Sequence, residues 1–144
     1  MAFSDNLRRQ HGEVLDLVEK ITAAFKSNSL TVERVGELLP KLAGKLKVHL
    51  TMEDKALYPK LLTSDEIKVR QTAENFMNEM GNLKETFEAY LKHWNSVLKI
   101  KAQYDQFRLE TETILTALTQ RIAREDQELY EMADKEFDSG NFIK

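Results

Sequence analysis

Two histidines and three glutamates interrupt the apolar stripes of this chain at helical spacing, and they are the residues equipped for chemistry. His11 follows Leu7 by four positions and precedes Val14 by three. His49 lies three after Leu46, and Glu53 lies four after His49 and four before Leu57. Glu79 stands between Phe76 and Leu83, and Glu125 between Ile122 and Leu129, at the same offsets of three and four. Residues so spaced share a helix face, so each of these side chains is expected to point inward. Ionised carboxylates are seldom buried alone, because stripping their water is costly. Three gathered in one interior would repel one another. A divalent or trivalent cation resolves the conflict, supplying opposite charge and taking carboxylate oxygens and imidazole nitrogens as ligands.

An internal repeat strengthens this reading. The segment His49-Leu50-Thr51-Met52-Glu53-Asp54-Lys55-Ala56-Leu57-Tyr58 parallels Arg121-Ile122-Ala123-Arg124-Glu125-Asp126-Gln127-Glu128-Leu129-Tyr130. Both read basic-apolar-x-x-Glu-Asp-x-x-Leu-Tyr, the pattern a pseudo-symmetric two-metal site would need. Each residue also has a plainer role. His11 could be an ordinary core histidine, His49 and Glu53 an ion pair one turn apart, and Glu125 a partner of Arg121. Met80 competes with Glu79 for the inward position. Tyr58 and Tyr130 suit either hydrogen bonding to ligands or packing at the end of a bundle, with packing slightly favoured. His93, fourteen residues beyond Glu79 and so about 21 Å along the same helix, is out of reach and belongs at the surface beside Trp94.

The elements that must position these groups read as four helices, at about 4–26, 31–62, 65–99 and 106–137. Ser4 is a plausible N-cap, and Ser27-Asn28-Ser29 a turn. Pro40 and Pro59 should bend the second helix. Ser64 or Asp65 caps the third, and Lys101 to Asp105 reads as a loop. Phe76, Phe87, Tyr90, Trp94 and Phe107 are most simply core. Short connections make neighbours antiparallel, so the expected fold is all-α, one up-down-up-down four-helix bundle domain spanning 1–144. At about 1.5 Å per residue, His49 and Glu53 lie roughly 20 and 14 Å from Leu62, Glu79 about 21 Å from Asp65, and Glu125 about 18 Å from Phe137. These groups therefore reach a common level. His11 joins them if the first helix starts part-way along.

Composition narrows the function. The chain has 144 residues, no cysteine, 31% charged residues and a formal net charge of −3. Thiolate chemistry, disulfides and Cys-ligated clusters are excluded, and the interleaved charges offer no field for nucleic acid. No apolar run is long enough for a membrane span. No basic segment followed by an apolar stretch opens the chain, so a cytoplasmic location is the default expectation.

In Arg9-Gln10-His11, in His49-Leu50-x-x-Glu53-Asp54-x-x-Leu57-Tyr58-Pro59 and in Glu125-Asp126-x-x-Leu129-Tyr130, the sequence resembles the hemerythrin HHE cation-binding family. The likeness covers about residues 4 to 135. It implies a four-helix bundle holding non-haem iron, two ions bridged by carboxylates, with other divalent metals as alternatives. It also implies binding, sensing or reaction with oxygen, peroxide, nitric oxide or iron itself. Carried over by position, His11, His49, Glu53 and Glu125 match ligand places, and Glu79 stands where the third helix commonly offers a His. Arg121 departs from the pattern, occupying the place of a fourth-helix His, and guanidinium cannot ligate metal. The remaining set is carboxylate-rich, closer to ferritin-like sites than to oxygen carriers. Arg121 could pair with a carboxylate and replace the charge of one metal. Two other functions fit the same residues: a helical interaction or signalling module with a metal-free polar core, and a carboxylate-rich di-iron oxidase. The implied partners are a metal ion and a small diatomic or peroxide ligand; nothing in the sequence names a protein partner.

Overall fold

A computed structural model describes residues 2–27 and 31–138. Among these residues the chain is helical with no strand, as expected. Helix α1 is Asp5–Lys26, α2 is Thr31–Met52, α3 is Tyr58–Leu62, α4 is Ile67–His93, α5 is Val97–Ala102, α6 is Tyr104–Arg124 and α7 is Tyr130–Asp138. A wide π-helical turn, Glu53–Leu57, joins α2 to α3, and a second, Glu125–Leu129, joins α6 to α7. Of the expected turn at Ser27-Asn28-Ser29, Ser27 is extended, and Asn28 and Ser29 lie outside the described residues.

The two π turns fall on the two copies of the repeat. In each, the Tyr N–H donates to the carbonyl of the Glu five residues earlier, Tyr58 to Glu53 and Tyr130 to Glu125. Pro59 follows the first turn, but Glu131 stands at the equivalent place in the second. Proline is therefore not what makes the turn; the shared Glu-Asp-x-x-Leu-Tyr segment is common to both. α2 stays helical through Pro40.

Two expected boundaries are corrected. The third helix ends at His93, not near Lys99, and the region read as a loop at 101–105 is largely helical. The break at Trp94-Asn95-Ser96 buries the Trp94 indole, whose Nε1 donates to Glu110 at 3.0 Å and whose ring meets Phe107 edge-on at 5.3 Å. Ser96 then caps α5 through its Oγ, which accepts from Lys99 N–H. Ser4 stands at the head of α1 without a side-chain cap bond. Its N–H and Oγ both donate to Asp134, tying α1 to α7. Ser64 accepts the Glu66 N–H ahead of α4.

Helix α1 packs on α2 and α6, α3 on α4, and α4 on α6 and the second π turn. The core divides into two apolar clusters. One holds Val14, Ile21, Leu42, Leu46, Phe87, Tyr90, Trp94, Phe107, Leu118 and Ile122. The other holds Leu7, Leu57, Leu61, Val69, Phe76, Leu129 and Ala133. His11 lies between Leu7 and Val14, His49 and Glu53 between Leu46 and Leu57, and Glu125 between Ile122 and Leu129. The polar residues thus form a layer where the clusters meet. Burying each large apolar side chain contributes roughly 1.5–3 kcal/mol, so the two clusters bear the cost of that layer.

Candidate metal centre

His11, His49, Glu53 and Glu125 are buried, and each offers a donor atom within 4.8 Å of the others. They come from α1, from the end of α2, and from the first residues of the two π turns. Both imidazoles are gripped from outside. His11 Nδ1 lies 2.8 Å from Asp126 Oδ1, and His49 Nδ1 lies 2.8 Å from Gln10 Oε1. An Nδ1–H donated outward leaves the Nε2 lone pair aimed at the centre, the tautomer a metal requires. His11 Nε2 stands 2.8 Å from Glu125 Oε1, and His49 Nε2 stands 3.4 Å from Glu53 Oε2 and 3.7 Å from Glu125 Oε1.

The electrostatics show how unevenly the layer balances itself. Burial pulls the His49 imidazole down, but its hydrogen bonds and attraction to Glu125 and Glu53 prevail and push it up to about 9. Burial raises the Glu53 carboxyl above the usual range, and repulsion from Glu125 adds to this. Glu125 is also pushed up by burial, yet its bonds to His11 and His49 hold it down at about 2. Glu53 Oε1 and Glu125 Oε2 are buried without a hydrogen-bond partner. Two imidazole nitrogens, two carboxylates with spare oxygens and a span near twice a metal–ligand bond of about 2.0–2.2 Å fit one cation.

The structure does not bring Glu79 into this group. Its side chain is 48% exposed and pairs with Arg121 Nη1 at 2.5 Å and Arg124 Nη1 at 2.8 Å. Met80 takes the inward position beside Phe76. His93, as expected, is exposed against Trp94, its ring edge-on at 4.6 Å. The aromatic residues expected in the core are buried.

Tyr130 is more than packing. Its hydroxyl donates to Glu53 Oε2 at 2.6 Å and lies 3.2 Å from His11 Nε2, 3.1 Å from His49 Nε2 and 3.5 Å from Glu125 Oε1. The phenol sits amid all four donors. Gln10 and Asp126 were also missed as orienting groups, although each neighbours a candidate ligand in sequence. Arg121 is buried and held on several sides. Its Nη2 donates to the Phe76 carbonyl, its guanidinium carbon lies 4.4 Å from the Phe76 ring centre, and its Nε approaches Glu125 Oε2 at 3.5 Å. A cleft of about 310 Å³ is lined in part by Leu46, Leu50, Met80, Leu83, Phe87 and Leu118, with Lys47, Asp54, Lys84 and Glu88 also on its wall; none of the four donors lines it.

No curated protein and no solved structure gives a significant match to the chain. The profile of the hemerythrin HHE cation-binding domain, by contrast, matches residues 2–133, almost end to end across both repeats and the polar layer between the two apolar clusters. The chain belongs to the hemerythrin HHE cation-binding family.

Proposed function

We propose that this protein is a non-haem iron-binding domain that binds, senses or reacts with oxygen, peroxide or nitric oxide, its long helices arranged up-down-up-down around the ion. His11, His49, Glu53 and Glu125 would hold it. The observation that carries this reading is the convergence of four buried donors whose two imidazoles are each fixed through Nδ1. Bound iron would supply Lewis acidity and a redox change toward a small ligand. The chain's own residues do the rest. Asp126 and Gln10 orient the imidazoles, and the flanking apolar clusters exclude water. In the metal-free protein burial pushes the Tyr130 phenol up, and its Oη donates to Glu53.

Iron analysis of protein produced with iron supplementation tests this directly. Wild type should retain iron, Glu53→Ala should lose it, and His93→Ala should keep it. Glu79→Ala, remote from the donors, should also keep it. A folded wild-type protein without iron would sink the reading.

A second reading, a helical interaction module with a metal-free core, draws on one observation. Tyr130 and the His–Glu contacts already satisfy much of the layer. Thermal stability indifferent to chelator would favour it. Turnover of peroxide or an organic substrate by the iron-loaded protein would instead select an oxidase.

A further inference from the structure

We infer that this centre takes one metal ion, the Arg121 guanidinium standing as a built-in cation where the repeat would place a second. The inference rests on the iron-binding reading above and concerns only the number of ions.

The repeat supplies the first argument. His49 stands four before Glu53, and Arg121 stands four before Glu125, each pair leading into its own π turn. A pseudo-symmetric second ion would need a donor at position 121. Guanidinium has only N–H donors and cannot lose a proton to bind metal.

The carboxylates supply the second. Each turns one oxygen to the histidine side: Glu125 Oε1 toward His11 at 2.8 Å, and Glu53 Oε2 toward Tyr130 at 2.6 Å and His49 at 3.4 Å. The other two oxygens, which would reach a second ion, accept no hydrogen bond, and the Arg121 guanidinium already faces one of them, Glu125 Oε2. Glu53 Oε1, Glu125 Oε2, Arg121 Nε and the Tyr58 hydroxyl are the four buried side-chain polar atoms without a hydrogen bond among the described residues, and Arg121 Nε faces Glu125 Oε2 as an ion pair at 3.5 Å. They belong together, for Tyr58 lies close enough to both carboxylates and to Arg121 to be influenced by all three. Two of the four are hydrogen-bond donors. The guanidinium among them carries a fixed positive charge and no lone pair for a metal, so it repels a second cation.

The third argument is charge. One divalent ion is matched by Glu53 and Glu125, while Arg121 shares Glu79 with Arg124. A second divalent ion would arrive with no carboxylate of its own. Helix α4 offers none, since its inward residues there are Phe76 and Met80. Nor can Arg121 readily swing aside, because Glu79, the Phe76 carbonyl and the Phe76 ring hold it.

The test is the iron stoichiometry of wild type, Arg121→His and Arg121→Lys, titrated with ferrous ion under argon. Electron paramagnetic resonance follows after oxidation, with circular dichroism as the check of folding. Wild type should take one equivalent and show the signal of an isolated high-spin ferric ion. Arg121→His should take a second equivalent and lose most of that signal to coupling between two ions. Arg121→Lys, which keeps the charge, should stay at one. Two equivalents in wild type or in Arg121→Lys would overturn the inference and leave the iron-binding reading intact. A folded Arg121→His that remains at one equivalent would also overturn it. If Arg121→His does not fold, wild type and Arg121→Lys decide alone. No iron in folded wild type would remove the iron-binding reading itself, and this inference with it.

Discussion

His49 shows how the site is tuned. In the metal-free protein Glu125 and Glu53 outweigh burial and push its imidazole up to about 9, so it carries a proton at neutral pH. Metal binds the neutral imidazole, so uptake must expel that proton. Iron uptake near pH 7 should therefore release about one proton per ion, and affinity should rise about tenfold per pH unit until about pH 9. Titration calorimetry in buffers of different ionisation enthalpy measures the release directly. A pH-independent affinity between 6.5 and 9 would contradict it. The same shift acts on folding with the opposite sign. The native state holds the His49 proton more tightly than the unfolded chain, so this contribution to stability is whole below pH 6.5 and fades as pH climbs through about 9. Glu125, lowered from 4.5 to about 2, gives a contribution that is whole above pH 4.5 and lost as pH falls through 2. His11, His49, Glu53 and Glu125 were legible in sequence because each breaks an apolar stripe. Glu79 was not, because Met80 is only about 100° away around the helix and either could face inward.

The elements explain what spacing alone could not. In a regular helix Tyr130 would lie about 140° around from Glu125, which favours a packing role. The π turn closes from Glu125 to Tyr130 and brings the phenol beneath the carboxylate. Hydrophobic period gives no warning of such a turn; only the repeated Glu-Asp-x-x-Leu-Tyr segment hints at it. The end of α4 was hidden for a related reason. Tyr90, Trp94 and Val97 continue the helical period across the break, yet Val97 is half exposed once the chain has turned. The two prolines separate a regular helix interior from the edge of a π turn. Pro40 is exposed within α2, where proline costs about 3 kcal/mol relative to alanine, offset in part by the stiffer unfolded chain. Pro59 directly follows the first π turn, where the regular four-residue hydrogen-bond ladder is already interrupted. Pro40→Ala should raise stability by about 1–2 kcal/mol, and Pro59→Ala should change it by less than about 1 kcal/mol. Urea midpoints compare the two, and a destabilised Pro40→Ala would show that α2 needs its proline.

At the scale of the whole molecule, the polar layer lies between two apolar clusters, where an unpaired charge is costly. Glu53 is buried with one oxygen unpartnered and its carboxyl raised, as a group kept ready for a cation would be. The metal-free protein bears that cost. Neutralising the group should then relieve it: Glu53→Gln keeps the shape and can still accept from Tyr130, but carries no charge. In chelator, Glu53→Gln should melt at or above the wild-type temperature at pH 8, where an ionised Glu53 is most costly. Iron reverses the order. A ligand present at a hundred times its dissociation constant adds about 2.7 kcal/mol to stability, or about 5–10 °C in a domain of this size. Wild type should gain that shift and Glu53→Gln should not. If Glu53→Gln instead melts below wild type in chelator, the carboxylate is a structural ion-pair partner of His49. The layer would then be built for stability, as the metal-free reading requires, rather than kept open for an ion.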